Sequence, residues 1–394
     1  MVDCLVSRRR SRAMDWGTIA VRLEDIVAAH SGEDTFDEVH ALIIAKLAHT
    51  HHLMEASEFL PASRRTQRVN EWLDCASHAW PELHTSYRSS LADSALAECA
   101  SLLEHRSVSH HWTEGLDAIF EYLTTRHMKG SKGQFFTPRH VVDHMMQVLA
   151  PQPQETVFDP ACGSGAFLVS ARNKDERCVL YGADISPRAA RMCRTALVPT
   201  GVSASSIICR DSLDATCALP QSWVGTFDII ATNPPFAGDV TNEYVHSYAL
   251  HQPGRRTERD ILFLERCVKM LSPNGRLGIV LPHNKVGSKR YAFVRRWLLC
   301  HMQIYAVVSL PQYTFAPHTS QRAVIIYAQK RTTPLHRPDD TEQVCFVVTN
   351  VESKDASGRL IEDPGSSHVR HDLDEAEERI RKHIKSCNVG NEWP

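Results

Sequence analysis

The sequence predicts an α/β chain: an all-helical N-terminal domain, then a doubly wound parallel sheet that ends in a late antiparallel hairpin. Three observations carry this. Over residues 14–130 the apolar residues recur at helical spacing with almost no strand signal. From Gly130 onward short apolar runs alternate with helical stretches, the pattern of a parallel sheet with helices on both faces. The last apolar run, Ala323–Gln329, follows a strand with no long helix between them, so it folds back as a hairpin. A length of 394 residues suits two or three domains.

Residues 1–13 carry Arg8, Arg9, Arg10 and Arg12 and read as a disordered basic arm, or as sequence upstream of a start at Met14. In 14–130 the apolar groups are Ile19, Leu23, Ile26 and Val27; Val39, Leu42, Ile43 and Leu47; Trp72, Leu73, Ala76 and Trp80; Leu91, Leu96, Leu102 and Leu103; then Trp112, Leu116, Ile119, Phe120 and Leu123. Each group lines one helix face, which gives about five helices, with Pro61 and Pro81 between them. Residues 131–330 form the sheet domain. Strands are expected at Thr156–Phe158, Val179–Ala183, Ser206–Cys209, Phe227–Thr232, Arg276–Leu281, Gln303–Leu310 and Ala323–Gln329. Helices are expected at Arg139–Leu149, Gly165–Arg172, Pro187–Leu197, Asp260–Leu271 and Lys289–Cys300. Residues 331–394 read as a C-terminal extension with a β segment at Val344–Asn350 and a charged helix near Leu373–Ile384, solvated by default, with docking to a partner as the sharper alternative.

With 43% hydrophobic and 23% charged residues, the composition excludes global disorder and fibrous rods. No stretch reaches the roughly 18–20 apolar residues of a membrane span. A formal charge of −2 argues against a histone-like binder, although acidic residues crowd the tail while Arg and Lys gather near 255–296. None of the 12 cysteines forms a C-x-x-C pair, and no apolar run follows the basic start. Reduced thiols in a cytoplasm are the expectation. No metal site is expected: His49, His51 and His52 read as a solvated helix end, and so do His110 and His111.

Three segments carry chemistry. Asp159-Pro160-Ala161-Cys162-Gly163-Ser164-Gly165 lies between a strand and a helix, where glycines admit a ligand to the backbone and a helix start offers free N–H groups. Asp184 ends the next strand, placed to hydrogen-bond a ribose diol. Position 168 is Leu, not the third glycine of a dinucleotide fingerprint, which shifts weight from a nicotinamide cofactor to S-adenosylmethionine. Asn233-Pro234-Pro235-Phe236 follows the strand Phe227–Thr232, and ligands bind open α/β sheets at strand C-termini. The prolines remove two donors, leaving the Asn233 side-chain oxygen and the Pro234 carbonyl as acceptors beside an aromatic face. That set suits a flat group bearing an NH₂. Gly133-Gln134-Phe135-Phe136-Thr137-Pro138 precedes the first helix of the sheet domain; taken alone it is a turn with Pro138 at the first helical position.

Together these segments resemble the N6-adenine DNA methyltransferases of the γ order, and most of all the modification subunit of type I restriction–modification systems. Gly133–Pro138 resembles that family's G-x-[FY]-[FY]-T-P segment, and Asp159–Leu168 its DPACGSGxFL loop. Downstream, Gly275–Pro282 resembles its GGRxxxVLP strand and Arg295–Leu299 its R+WLL helix. Val308–Pro311 with Phe315, then Val324–Ile326, resemble its final hairpin. The likeness covers about 115–330. It implies a class I S-adenosylmethionine-dependent methyltransferase, Rossmann-like fold. It implies that Thr137, with Phe135 and Phe136, holds the methionine end of S-adenosylmethionine. Asp159, Gly163 and Gly165 shape the pocket, Asp184 takes the ribose, Ile185 lies against the adenine, and Asp211 accepts from its amino group. The family has Gly before that Asp, where this chain has Arg210. Asn233, Pro234, Pro235 and Phe236 are implied as catalytic, with Phe236 and Phe315 stacking the target base.

The implied activity is methylation of adenine N6 in double-stranded DNA, with the base flipped out, within a restriction–modification or related defence system. Roughly sixty residues after the core are too few for a target-recognition domain, given usual domain sizes. A separate specificity subunit is therefore expected, in an assembly of two modification subunits with one specificity subunit, or else a homodimer. Two alternatives stay open: a protein glutamine N5-methyltransferase, which uses a similar tetrad, and a non-catalytic cofactor- or DNA-binding subunit. Cys162 reads as a small packed residue. The polar segment Ala237–Asp260, with Arg255, Arg256 and Arg259, reads either as a mobile loop over the DNA or cofactor or as a plain surface loop. Arg139, Lys285, Lys289, Arg290, Arg295 and Arg296 are candidate phosphate contacts.

Overall fold

The computed structural model describes residues 16–30, 35–55, 58–83, 87–103, 116, 119–120, 122, 136–198, 201–202, 206–214, 219–236, 238–366, 368–387 and 393. The expected basic arm, His110, His111, Phe135 and most of the fifth N-terminal helix lie outside these residues. The chain divides into two compact units, residues 1–129 and 130–394.

The first unit holds α1 (Trp16–His30), α2 (Thr35–Thr50), α3 (Arg65–Ala79) and α4 (Asp93–Leu103). Helix α2 is central: Phe36, Val39, Leu42, Ile43, Ile44 and Leu47 are all buried, against α1 on one side and α3 on the other. Trp72 of α3 is wholly buried, and its indole N–H donates to the Phe59 carbonyl at 3.1 Å. A buried Trp finds such a partner because an unpaired indole donor is costly. His49 departs from the solvated reading, because its ring packs edge-on against Trp72 at 5.3 Å. His51 and His52 are exposed as expected.

The second unit is an eight-stranded sheet. In chain order its elements are α5 (Arg139–Leu149), β1 (Thr156–Asp159), α6 (Ala166–Lys174), β2 (Val179–Asp184), α7 (Pro187–Leu197), β3 (Ile207–Cys209), β4 (Phe227–Thr232), α8 (Arg259–Met270), β5 (Leu271–Pro282), α9 (His283–Gly287), α10 (Ala292–His301), β6 (Met302–Ser309), β7 (Ala323–Lys330), β8 (Cys345–Val348) and α11 (Leu373–Ser386). The strand order is β3-β2-β1-β4-β5-β7-β6-β8. Strands β1 to β5 are parallel, and β7 runs antiparallel to both β5 and β6, which is the expected hairpin. The C-termini of β1, β2 and β4 therefore lie along one edge of the sheet, so the loops after Asp159, Asp184 and Thr232 share one end of the unit. The buried apolar residues of the central strands, such as Phe158, Ile230 and Ile279, are the packing that fixes this register.

Three features depart from expectation, and a fourth, the C-terminal β segment, forms where expected. Strand β5 starts five residues early, at Leu271. Within it Asn274 takes a left-handed backbone conformation, with φ 66°. The chain nevertheless stays paired, because Phe227 opposes Leu271 and Ile229 opposes Arg276. The expected helix Lys289–Cys300 is a 3-10 turn (Lys289–Tyr291) followed by α10, and the short α9 before it carried no sequence signal. The C-terminal β segment becomes β8, parallel to β6 at the sheet edge. Helix α11 is not a solvated helix: Leu373, Ala376, Ile380 and Ile384 are buried, and it packs on α5. Those four residues lie at helical spacing, so one face of α11 is apolar.

Helix α5 is held against the sheet from two directions. A Cβ at Gly278 would lie 2.9 Å from Leu149 Cδ1, so only glycine lets α5 approach β5 this closely. Buried Arg276 of β5 donates from Nε to the Leu149 carbonyl at 3.0 Å and from both terminal nitrogens to Glu155, at 2.9 and 2.6 Å. The guanidinium thus satisfies a carbonyl at the end of α5 while pairing with a carboxylate. Among the described residues no helix is long and apolar enough to cross a membrane.

Candidate functional site

The Gly-rich loop leaves β1 at Asp159. That carboxylate is 1% exposed and accepts from the Thr232 hydroxyl at 2.7 Å and the Ala161 N–H at 3.0 Å. Burial pushes its pKa up to about 7. Asp159 is therefore an internal strut between the ends of β1 and β4, holding the residue just before Asn233.

The two glycines serve different ends. Gly163 has φ 52°, its N–H donates to Asp184 Oδ2 at 3.0 Å, and a Cβ there would meet nothing within 4 Å. Its backbone faces open space that a ligand could fill. Gly165 has φ 92°, and a Cβ there would lie 2.8 Å from Cys193 Sγ on α7. Gly163 borders open space, and Gly165 is a packing requirement. Cys162 is buried, and Cys193 beside it together with burial raises its thiol pKa, as suits a packed residue.

At the end of β2, Asp184 is 7% exposed and held by the N–H groups of Gly163 and, at 2.8 Å, Ser186. Ile185 beside it is 64% exposed, an apolar surface next to that carboxylate. Beyond β3, Asp211 accepts from the Leu213 N–H at 2.9 Å and from the Tyr244 hydroxyl at 2.8 Å. Tyr244 is a site residue that the sequence did not signal. Its neighbour Tyr248 donates to the Leu213 carbonyl at 2.7 Å, and Glu265 of α8 accepts from the N–H groups of Ala249 and Leu250, both at 2.8 Å. The segment after the tetrad is thus pinned to residues 211–213 on one side and to α8 on the other.

Past β4, the Asn233 Nδ2 donates to Thr137 Oγ1 at 3.0 Å. Its Oδ1 is buried and meets no hydrogen-bond donor among the described residues. An unpaired buried acceptor costs about 1–3 kcal/mol unless a ligand satisfies it. Phe236 is 6% exposed and Phe315 2% exposed. Their rings meet edge to face, with centroids 5.5 Å apart at 76°. The two rings that the sequence assigned to one site are thus in contact with each other.

Several expected phosphate contacts are otherwise engaged. Lys285 is 3% exposed, paired with Glu258 and with Asp260 at 3.3 Å, and its ammonium lies 4.2 Å from the Tyr291 ring centre. Arg139 pairs with Asp143 at 3.2 Å, and Arg295 donates to the Ser288 carbonyl at 2.7 Å. Exposed Arg290 leans on Glu258 at 3.0 Å. Lys289 and Arg296 are exposed, as are Arg255 and Arg256 in the loop after the tetrad.

A family model described as N-6 DNA Methylase matches residues 113–363. The methylase subunit of the Escherichia coli type I restriction enzyme EcoEI is 28% identical over 216 residues, covering 51% of this chain and 43% of that protein. The type II methyltransferase M.VspI of Vibrio sp. (strain 343) is 28% identical over 277 residues, covering 69% of this chain and 65% of its own. The matches thus span about half to two thirds of these relatives. Among solved structures, the methyltransferase subunit of a Streptococcus thermophilus type I restriction-modification system superposes with a TM-score of 0.63 at 17% identity, covering 93% of each chain.

Proposed function

The chain belongs to the N-6 DNA methylase family, and from that premise we propose that it transfers a methyl group from S-adenosylmethionine to N6 of an adenine flipped out of duplex DNA. Its second unit has the class I methyltransferase fold. The observation that carries the reading is Asn233 Oδ1, a buried acceptor at the end of β4 that meets no donor among the described residues.

The N6 nitrogen is a weak nucleophile because its lone pair is delocalised into the ring. Asn233 Oδ1 and the Pro234 carbonyl would each accept one N6 proton and draw the nitrogen toward sp³. The lone pair then points out of the ring plane, along the line of displacement. Catalysis on this reading is positioning and electrostatics, with no strong base required. Flipping the base costs a few kcal/mol, and stacking on Phe236 would return roughly 1–3 kcal/mol.

S-adenosylmethionine, when bound, supplies an electrophilic sulfonium methyl. The residues present fit it: open space over Gly163, an exposed apolar Ile185, and Asp184 and Asp211 already fixed by backbone donors. Phe136 and Thr137 would hold its amino-acid end, together with Phe135. We read residues 131–330 as the catalytic domain, 14–130 as the helical domain and 331–394 as the extension. A specificity subunit would choose the sequence, shared between two copies of this chain or serving a dimer of it. Free cysteines among the described residues suit the cytoplasm.

Single-molecule sequencing of host DNA tests this, with the chain expressed alone and beside a specificity subunit. The reading expects N6-methyladenine at one recurrent site, dependent on the second chain. Methyl transfer to a protein glutamine and none to DNA would replace it.

A further inference from the structure

The Asn233 amide has two unlike ends: Oδ1 accepts and Nδ2 donates. Turned one way it offers an acceptor to an amino group; turned the other it presents two protons and repels that group. The following prolines fix the backbone but do not choose between these states. Thr137 makes the choice. Asn233 Nδ2 lies 3.0 Å from Thr137 Oγ1, and Oδ1 stays buried without a donor among the described residues. Yet a hydroxyl both donates and accepts. Thr137 enforces the acceptor-out state only while its own proton is committed to another acceptor. With that proton free, it could donate to Oδ1 and the amide would turn round.

We propose that Thr137 is a positioning residue that couples the cofactor and target sites: a carboxylate that accepts the Thr137 proton locks the Asn233 amide with Oδ1 toward the amino group to be methylated. This rests on the proposed function, in which the amino-acid end of S-adenosylmethionine lies at Thr137. It adds that filling the cofactor site readies the acceptor for the base. The relay is carboxylate, hydroxyl, amide, each bond polarising the next. Thr137 stands just ahead of α5 and Asn233 just past β4, so a single hydroxyl joins two segments far apart in sequence.

The test follows the Asn233 side-chain NH₂ by nitrogen-15 NMR of the full chain, with the signal assigned by its loss in Asn233→Ala. S-adenosylhomocysteine, which has the same amino-acid end and no methyl to transfer, is the titrant. The wild-type signal should shift on saturation and its exchange with water should slow. Thr137→Val should bind the titrant while that signal stays put. In the assembly that methylates DNA its kcat should fall about tenfold to a hundredfold, the cost of an unpaired buried donor, with a smaller change in cofactor KM. Thr137→Ser, which keeps the hydroxyl, should recover both the shift and the rate. A wild-type Asn233 signal indifferent to bound S-adenosylhomocysteine overturns the coupling and leaves the proposed function standing, as does a Val variant with wild-type response and kcat. A chain that binds no S-adenosylhomocysteine overturns both.

Discussion

Replacing Tyr244 by Phe removes one hydroxyl and one hydrogen bond, and the effect should be read at the cofactor. Asp211 keeps the Leu213 N–H on Oδ1 but loses the Tyr244 donor on Oδ2. A hydrogen bond to a charged acceptor is worth about 1.5–3 kcal/mol, and partial replacement by water at this half-buried site brings the expected loss to about 1–2 kcal/mol. The dissociation constant of S-adenosylhomocysteine should therefore rise about fivefold to thirtyfold, measured by calorimetry. The loss should vanish for an analogue without the adenine amino group, because that is the group Asp211 is proposed to meet. Tyr248→Phe, whose hydroxyl serves the Leu213 carbonyl, is the control for loop packing. If Tyr244→Phe binds like wild type while Asp211→Ala binds poorly, the tyrosine does not position the carboxylate and the reasoning fails.

Other perturbations follow from the same geometry. The Asp159 pKa is raised from 3.8 to about 7, so the native state holds a proton that the unfolded chain has released, and stability falls as pH rises from about 4 to 7. Asp159→Asn, which keeps an acceptor for Thr232 and Ala161, should flatten that slope and unfold at no lower urea concentration than wild type at pH 8. Gly165→Ala must push its Cβ into Cys193 and should lower the melting temperature; Gly163→Ala, strained in backbone but sterically open, should fold and bind S-adenosylhomocysteine weakly. Arg276→Ala removes the guanidinium bonds to Glu155, which keeps the Gln152 N–H, and the donor to the Leu149 carbonyl, and should cost about 1.5–3 kcal/mol in urea denaturation.

The sheet was legible because its strands are short apolar runs separated by helices, and that alternation admits few topologies. The hairpin was legible for a local reason: no helix fits between β6 and β7. The candidate residues at the ends of β1, β2 and β4 were legible as strand ends, the places where α/β sheets bind ligands. What stayed hidden depends on contacts between distant segments. Tyr244 reaches Asp211 from 33 residues away, in a polar segment singled out for its arginines and not for its tyrosines. Lys285 looks like a phosphate contact until Glu258 and Asp260 close around it. Phe315 was rightly placed beside Phe236, but a ring's orientation is set by packing, which no motif encodes. The buried face of α11 could have been read from Leu373, Ala376, Ile380 and Ile384; its density of charge obscured it.

The central claim is that Asn233 Oδ1 accepts from the amino group being methylated. The direct test is Asn233→Ala in the assembly that methylates DNA, with tritiated methyl transfer and S-adenosylhomocysteine affinity measured on the same preparation. Removing a positioned polar group from a transition state typically costs about a hundredfold to a thousandfold in rate. The account predicts a loss of that size with cofactor affinity within about twofold of wild type. Transfer at near wild-type rate would contradict it.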